Sequence, residues 1–209
     1  MQPAREQGIP IVIKNTFEPL HKGTRISSER TVNGPMKGIS SIKEVALIRV
    51  SGPGMVGVTG TAGRMFSALA RSEINIMMIT QGSSEHSICA VVKPEDVDQA
   101  ITTIKEEFAL QILQRQIDNV SAERGLSVIA VIGEQMRQVT GIAGKIFQSL
   151  GDYGVNVIAI AQGSSERNIS IVVQVDQVAR GMQAIHDRFF TAKRPPLQIV
   201  LVGRGLVGK

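Results

Sequence analysis

The sequence holds one cysteine, no tryptophan, one tyrosine and three histidines, and each shortage removes a class of function. Cys89 has no partner for an internal disulfide, so the cross-linked frameworks of small secreted domains are excluded and a reducing, cytoplasmic setting is expected. Its neighbours Ser87, Ile88, Ala90 and Val91 read as a half-buried strand, which gives the thiol a packing role. His21, His86 and His186 show no metal-ligand spacing, so no metal site is expected. Aromatic residues make up 3% of the chain, too few for the stacking platforms that single-stranded nucleic acids require. The 23 basic residues behind the net charge of +5 are scattered rather than gathered into a dense run, and no nucleic-acid partner is expected. No apolar run approaches the roughly 18 residues that cross a bilayer, and no basic region followed by an apolar segment opens the chain. Membrane and secretory roles therefore fall away.

What is present is a chain of 209 residues, 43% apolar and 20% charged, enough for one or two compact cores in a soluble globular protein. Its organising feature is a duplication. Residues 45–108 align with 126–189 without a gap, and the identities include Val58, Thr59, Gly60, Ala62 and Gly63 against Val139, Thr140, Gly141, Ala143 and Gly144. The run Gln81-Gly82-Ser83-Ser84-Glu85 returns as Gln162-Gly163-Ser164-Ser165-Glu166. Two copies fit a pair of packed domains better than a solenoid, which needs three or more.

Within the first copy, Val45–Val50 reads as a strand, and after a glycine-rich loop Val58, Ala62, Met65, Phe66 and Leu69 fall at helical spacing. Asn75–Thr80 and Ser87–Val92 read as antiparallel strands joined by the polar Gln81–Glu85 turn. Pro94, Glu95 and Asp96 open a second helix whose buried stripe is Val97, Ile101, Ile104 and Phe108. A last strand is expected near Leu110–Leu113. The order βαββαβ makes an α+β, ferredoxin-like unit.

The second copy repeats the order from Ser127 to Phe189 and then meets Lys193-Arg194-Pro195-Pro196, where no strand readily completes its sheet. Gly38–Ile42, just before the first copy, is predicted to fill that vacancy, so that the two units interlock. The expected divisions are 1–34, 35–120, 121–190 and 191–209.

Gly8–Phe17 reads as a buried strand and Glu18–Arg30 as a loop; a strand without a sheet suggests a domain that lies elsewhere. At the other end, Ile199–Val202 leads into Gly203-Arg204-Gly205-Leu206-Val207-Gly208-Lys209. Gly203, Gly205 and Gly208 match the opening of a dinucleotide-binding fold, and the same residues match the first positions of a P-loop. Without a following helix or acidic ribose ligand, this segment is expected to bind no cofactor here.

The loop Ser51–Gly60 joins a strand to a helix N-terminus, and its N–H groups can receive a phosphate or a carboxylate without a basic side chain. The competing reading is a tight turn whose glycines serve packing alone. The matching loop Gly133–Gln138 keeps few glycines, so the two sites need not bind equally. Asn75 and Asn156 open the strands after each first helix, and Gln81 and Gln162 close them. Their amides suit an ammonium, a hydroxyl or a carboxylate, or serve as turn caps. The Ser-Ser-Glu triplets have no evident histidine base or second carboxylate, and no catalytic constellation is present.

These motifs resemble the regulatory region of aspartokinases, specifically the bifunctional aspartokinase/homoserine dehydrogenase type. The resemblance is carried by Ile13-Lys14-Asn15-Thr16-Phe17 with Gly23-Thr24, by Gly38-Ile39-Ser40-Ser41-Ile42, by Ser51-Gly52-Pro53-Gly54-Met55 and by both Gln-Gly-Ser-Ser-Glu runs. It also favours the dinucleotide motif over the P-loop, since a dehydrogenase domain would start there. It implies tandem ACT units that bind an end-product amino acid, threonine first and lysine second, and that pair as a homodimer beside an attached kinase domain. Residues 1–34 would then be the end of that kinase domain. Effector contacts are implied for Met55, Val56, Gly57, Val58 and Thr59, for Asn75 and Ile76, for Asn156 and Val157 facing them in the paired unit, and for Gln81 and Gln162. ATP and NADPH would serve the parent enzyme, while this chain alone takes no cofactor and has no turnover. Two rivals remain open: a dimerisation module with degenerate ligand sites, and an enzyme fragment that binds nucleotide at its terminal glycines.

Overall fold

The computed structural model describes residues 2–27, 36–134, 136, 139–163 and 168–191, which belong to two compact units divided between residues 34 and 35. The expectations for the terminal glycines, for 192–209 and for Ser164–Glu166 lie outside the described residues.

The first unit holds a short helix α1 (Gln2–Glu6) and a hairpin of β1 (Ile11–Ile13) and β2 (Thr24–Ile26). Two expectations are corrected here. The strand is three residues long and finds its partner inside the segment read as a loop. Nor is it buried, because Val12 and Ile13 are 49% and 47% exposed. Gly23 makes the pairing possible. A Cβ there would lie 2.4 Å from the carbonyl oxygen of Ile13, and its φ of +72° suits glycine.

The second unit is built on two long antiparallel strands, β3 (Met36–Ser51) and β6 (Asn119–Gly133). Around them are α2 (Thr61–Arg71), β4 (Met78–Gln81), β5 (Ser87–Val92), α3 (Val97–Glu107), α4 (Ala109–Leu113), α5 (Ile142–Asp152), β7 (Ala159–Gln162), β8 (Asn168–Gln174) and α6 (Val178–Phe189). The sheet order is β4-β5-β3-β6-β8-β7, antiparallel throughout. Each long strand serves both repeats. Ala46–Ser51 of β3 pairs with β5, while Gly38–Ile42 pairs with Ile132–Val128 of β6, which in turn pairs with β8. The strand that precedes the first repeat thus completes the second, and the units interlock.

Both long strands bend where they pass from one repeat to the other. Register shifts flank Val45, and Glu44 and Gly125 take φ of 55° and 71°. These two residues occupy the same position in the duplication. Along β5 the side chains alternate between two buried faces: Ile88, Ala90 and Val92 face one core, Cys89 and Val91 another. Helices α2 and α3 cover the first face through Met65, Leu69, Val97 and Ile104. The other faces of the two half-sheets meet each other, with Val45, Leu47 and Val91 against Leu126, Val128 and Val172. Strands β4 and β7, at opposite ends of the sheet order, consequently come into contact.

The last-strand expectation at Leu110–Leu113 is also corrected, since that run is helix α4. Its amides continue helical bonding across Phe108, with Ile112 N–H donating to the Phe108 carbonyl at 2.9 Å. A short apolar run reads equally as strand or helix turn. The first repeat instead ends its sheet with Asn119–Glu123 of β6, reached after Arg115 turns the chain at φ 56°.

Candidate functional site

The glycine-rich loop divides into two parts with different jobs. Gly52 and Gly54 are set by packing: a Cβ on either would lie 2.2 and 2.4 Å from Gln116, and Gly54 N–H donates to the Gln116 carbonyl at 2.9 Å. The packing reading of the loop therefore holds for these two. Gly57 and Gly60 have open space around them but take φ of +68° and +87°, so their requirement is conformational. This second part is the exposed one. Val56 and Val58 are 46% and 54% exposed, while Met55, at 4%, belongs to the helix-covered core and forms the floor of the loop.

The Gln81–Glu85 turn folds back onto this loop. Glu85, at φ 55°, places its carboxylate Oε2 2.8 Å from the N–H of Gly57, and Gly52 N–H donates to the carbonyl of His86 at 3.1 Å. An exposed N–H of the loop, four residues before α2 begins at Thr61, thus holds a carboxylate. The sequence named Glu85 only as part of a triplet. The return of the same Gln-Gly-Ser-Ser-Glu run in both copies of the sequence was the available signal for this contact.

The remaining candidates are distributed as follows. Asn75, Gln81, Asn156 and Gln162 are exposed, and Ile76 is half-buried against the first core. Asn156 is fixed through its backbone N–H, which donates to Oε1 of Gln177 at 3.0 Å, a partner that sequence reading did not single out. Val157 is half-buried beside a cleft of about 350 Å³ whose lining also includes Thr80 and Gly82. The loop Met55–Thr59 does not line that cleft. A single chain therefore assembles the first loop with the Gln81–Glu85 turn, while Val157 meets that turn at Gly82 across the cleft and not at the loop. Among the described residues no cluster of three His, Cys, Asp or Glu side chains could hold a metal ion, and no helix is long and apolar enough to cross a membrane.

Comparison with known proteins places these features. The sequence matches the ACT domain family twice, over residues 48–108 and 129–189, which are the two repeats. It is similar to a bifunctional aspartokinase/homoserine dehydrogenase from Haemophilus influenzae, 39% identical over 99% of this chain and 25% of that one. A corresponding chloroplastic protein of Arabidopsis thaliana is 34% identical and is covered to 23% of its length. The chain spans about a quarter of these relatives. Among solved structures, an aspartate kinase from Clostridium acetobutylicum, described as an allosteric enzyme, superposes with a TM-score of 0.76 at 27% identity, covering 90% of this chain and 43% of that one.

Proposed function

Because the chain belongs to the ACT domain family, we propose that it is the amino-acid-sensing region of an aspartate kinase, most favourably for threonine and next for lysine, within a polypeptide that also carries homoserine dehydrogenase. The observation that carries the ligand class is the 2.8 Å bond from Gly57 N–H to the Glu85 carboxylate: an exposed, positive-φ loop already receives the group that every free amino acid presents. Gln81 and Gln162 close the neighbouring strands and supply amides that can satisfy the ligand's ammonium or hydroxyl. The whole-length likeness to bifunctional enzymes supports the parentage. Kinase chemistry with ATP and dehydrogenase chemistry with NADPH are then properties of the parent protein, in a cytoplasm-like compartment, and this chain contributes regulation alone.

Two copies of the chain are required by the same reading. The Met55–Thr59 loop does not line the cleft beside Val157 within one chain, and in this reading Asn156 and Val157 face that loop across a homodimer. Strands β4 and β7 end the sheet order and offer backbone edges for such pairing. Feedback control then needs a preference between two arrangements of the dimer. A ligand that binds both equally shifts nothing, and moving a 1:99 equilibrium to 99:1 takes about a 10⁴-fold difference in affinity.

The second reading, a dimerisation module with degenerate sites, has one observation in its favour: the second loop has Glu134 and Gln135 where the first has Pro53 and Gly54. Titration calorimetry with threonine, lysine, methionine and isoleucine separates the two. A sensor gives saturable heat with one of them, weakened about tenfold or more by Gln81→Ala or Gln162→Ala, the loss expected for a hydrogen bond to a charged group. A pure dimerisation module gives none.

A further inference from the structure

We propose that the cleft between β4–β5 and the segment 157–160 is a second binding site, specific for a small carboxylate with a short apolar tail and distinct from the loop at Gly57. Its inner wall is one row across the sheet. Ser121 of β6, Arg49 of β3, Cys89 of β5 and Thr80 of β4 are successive register partners, so their side chains stand on one face. Arg49, Cys89 and Thr80 line the cleft together with Ser87, while Leu47 and Ile158 supply apolar walls. The volume of about 350 Å³ leaves ample room for a small organic anion.

The polarity of this row is what calls for a ligand. The same sheet face one row further in is Leu47, Val91 and Met78, buried in the shared core. Arg49 is exposed where the row meets solvent at the margin of that core, and among the described residues no carboxylate pairs with it. A guanidinium offers a planar fork that matches a carboxylate in two bonds, and the hydroxyls of Thr80 and Ser87 add donors beside it. The duplication provides an internal control. The corresponding row of the second repeat is Ala130, Ser170 and Ala161, again successive register partners, and it has neither cation nor thiol. The charge is therefore a feature of one position and not a general property of the fold.

None of the cleft's donors belongs to the glycine loop, although Val157, a candidate effector contact, also lines it, and Cys89 provides a readout confined to this cleft. It is the single cysteine, 8% exposed. Iodoacetate and iodoacetamide both alkylate a thiol: the S–C bond forms as the C–I bond breaks, iodide leaves, and the thiol proton passes to solvent. They differ in the carboxylate. We expect native chain to favour iodoacetate over iodoacetamide about tenfold more than urea-unfolded chain does, the scale of one charge-assisted hydrogen-bonded contact. Arg49→Gln should return that ratio to the unfolded value while leaving the iodoacetamide rate in place. On unmodified chain, propanoate should slow iodoacetamide labelling saturably and propanamide should not, which decides the matter even if the variant fails to fold. Equal ratios in native and unfolded chain, labelling indifferent to propanoate, or a native Cys89 that neither reagent reaches would overturn the proposal.

Discussion

At the scale of single residues, the duplication shows where backbone geometry and side-chain identity disagree. Helices α2 and α5 end in the same pair of reversed bonds: Glu73 N–H to Ala70 and Ile74 N–H to Leu69, matched by Gly154 to Gly151 and Val155 to Leu150. The residue at the turn has φ of 57° in Glu73 and 63° in Gly154. Glycine adopts that conformation freely and glutamate does not. Glu73→Gly is therefore expected to stabilise the chain by about 0.5–1 kcal/mol in urea unfolding; a loss of stability would show that Glu73 makes up its strain through contacts. The loop glycines give a second contrast. Gly52 has an ordinary extended φ of 168°, so its requirement is space alone, and Gly52→Ala should cost about 2–3 kcal/mol by forcing Gln116 and Ile117 away. Gly57→Ala meets no neighbour and should cost nearer 1 kcal/mol, from conformation. The loop was legible as a turn at a helix head. Which glycines serve packing was not, because Gln116 is distant in sequence and reaches the loop only once β6 is in place.

At the scale of elements, α2 and α3 are tied by Glu107, which accepts from Arg64 Nε at 2.9 Å and from Arg71 at 2.7 Å, while the Arg64 guanidinium lies 4.6 Å over the Phe108 ring. The hydrogen bond from Arg64, followed by that from Arg71 against a desolvation cost, holds the Glu107 carboxyl below its ordinary range. A carboxylate with a lowered folded pKa contributes stability above its unfolded pKa and loses it as pH falls through the folded value. The stability gap between the chain and Glu107→Gln should thus be level near neutrality and shrink below about pH 4. Its size should be under about 1 kcal/mol, since both arginines are well exposed. A gap that persists unchanged to about pH 3 would contradict this assignment. Most elements were readable from periodicity: β5 is found over Ser87–Val92, the span expected of it. The failures share a cause. Leu110–Leu113 is too short for its period to separate strand from helix, and Thr24–Ile26 carries no apolar alternation to mark it as a strand.

At the scale of the whole molecule, β3 and β6 run through both repeats, and the shared core draws side chains from each. Neither repeat can lose its sheet without exposing the other's. Residues 36–191 should therefore unfold in one transition, and Ile48→Ala in the first repeat and Ile171→Ala in the second, both at 0% exposure, should each lower the same midpoint by about 2–5 kcal/mol of stability. Two transitions, each answering to one substitution, would show that the repeats fold separately. The interlock itself was readable from the sequence, because the second copy runs into paired prolines and an unemployed strand precedes the first. The way the half-sheets close face to face was not, since it depends on a bend at Glu44 and Gly125 that no composition signal marks.

The central claim is that this fold senses an amino acid, and thermal unfolding of the chain with and without threonine tests it most directly. A ligand present at 100 times its Kd adds about 2.7 kcal/mol to stability. The account predicts a midpoint that climbs with threonine concentration and loses the response in Gln81→Ala. A midpoint that stays fixed with threonine, and equally with lysine, methionine and isoleucine, would contradict it.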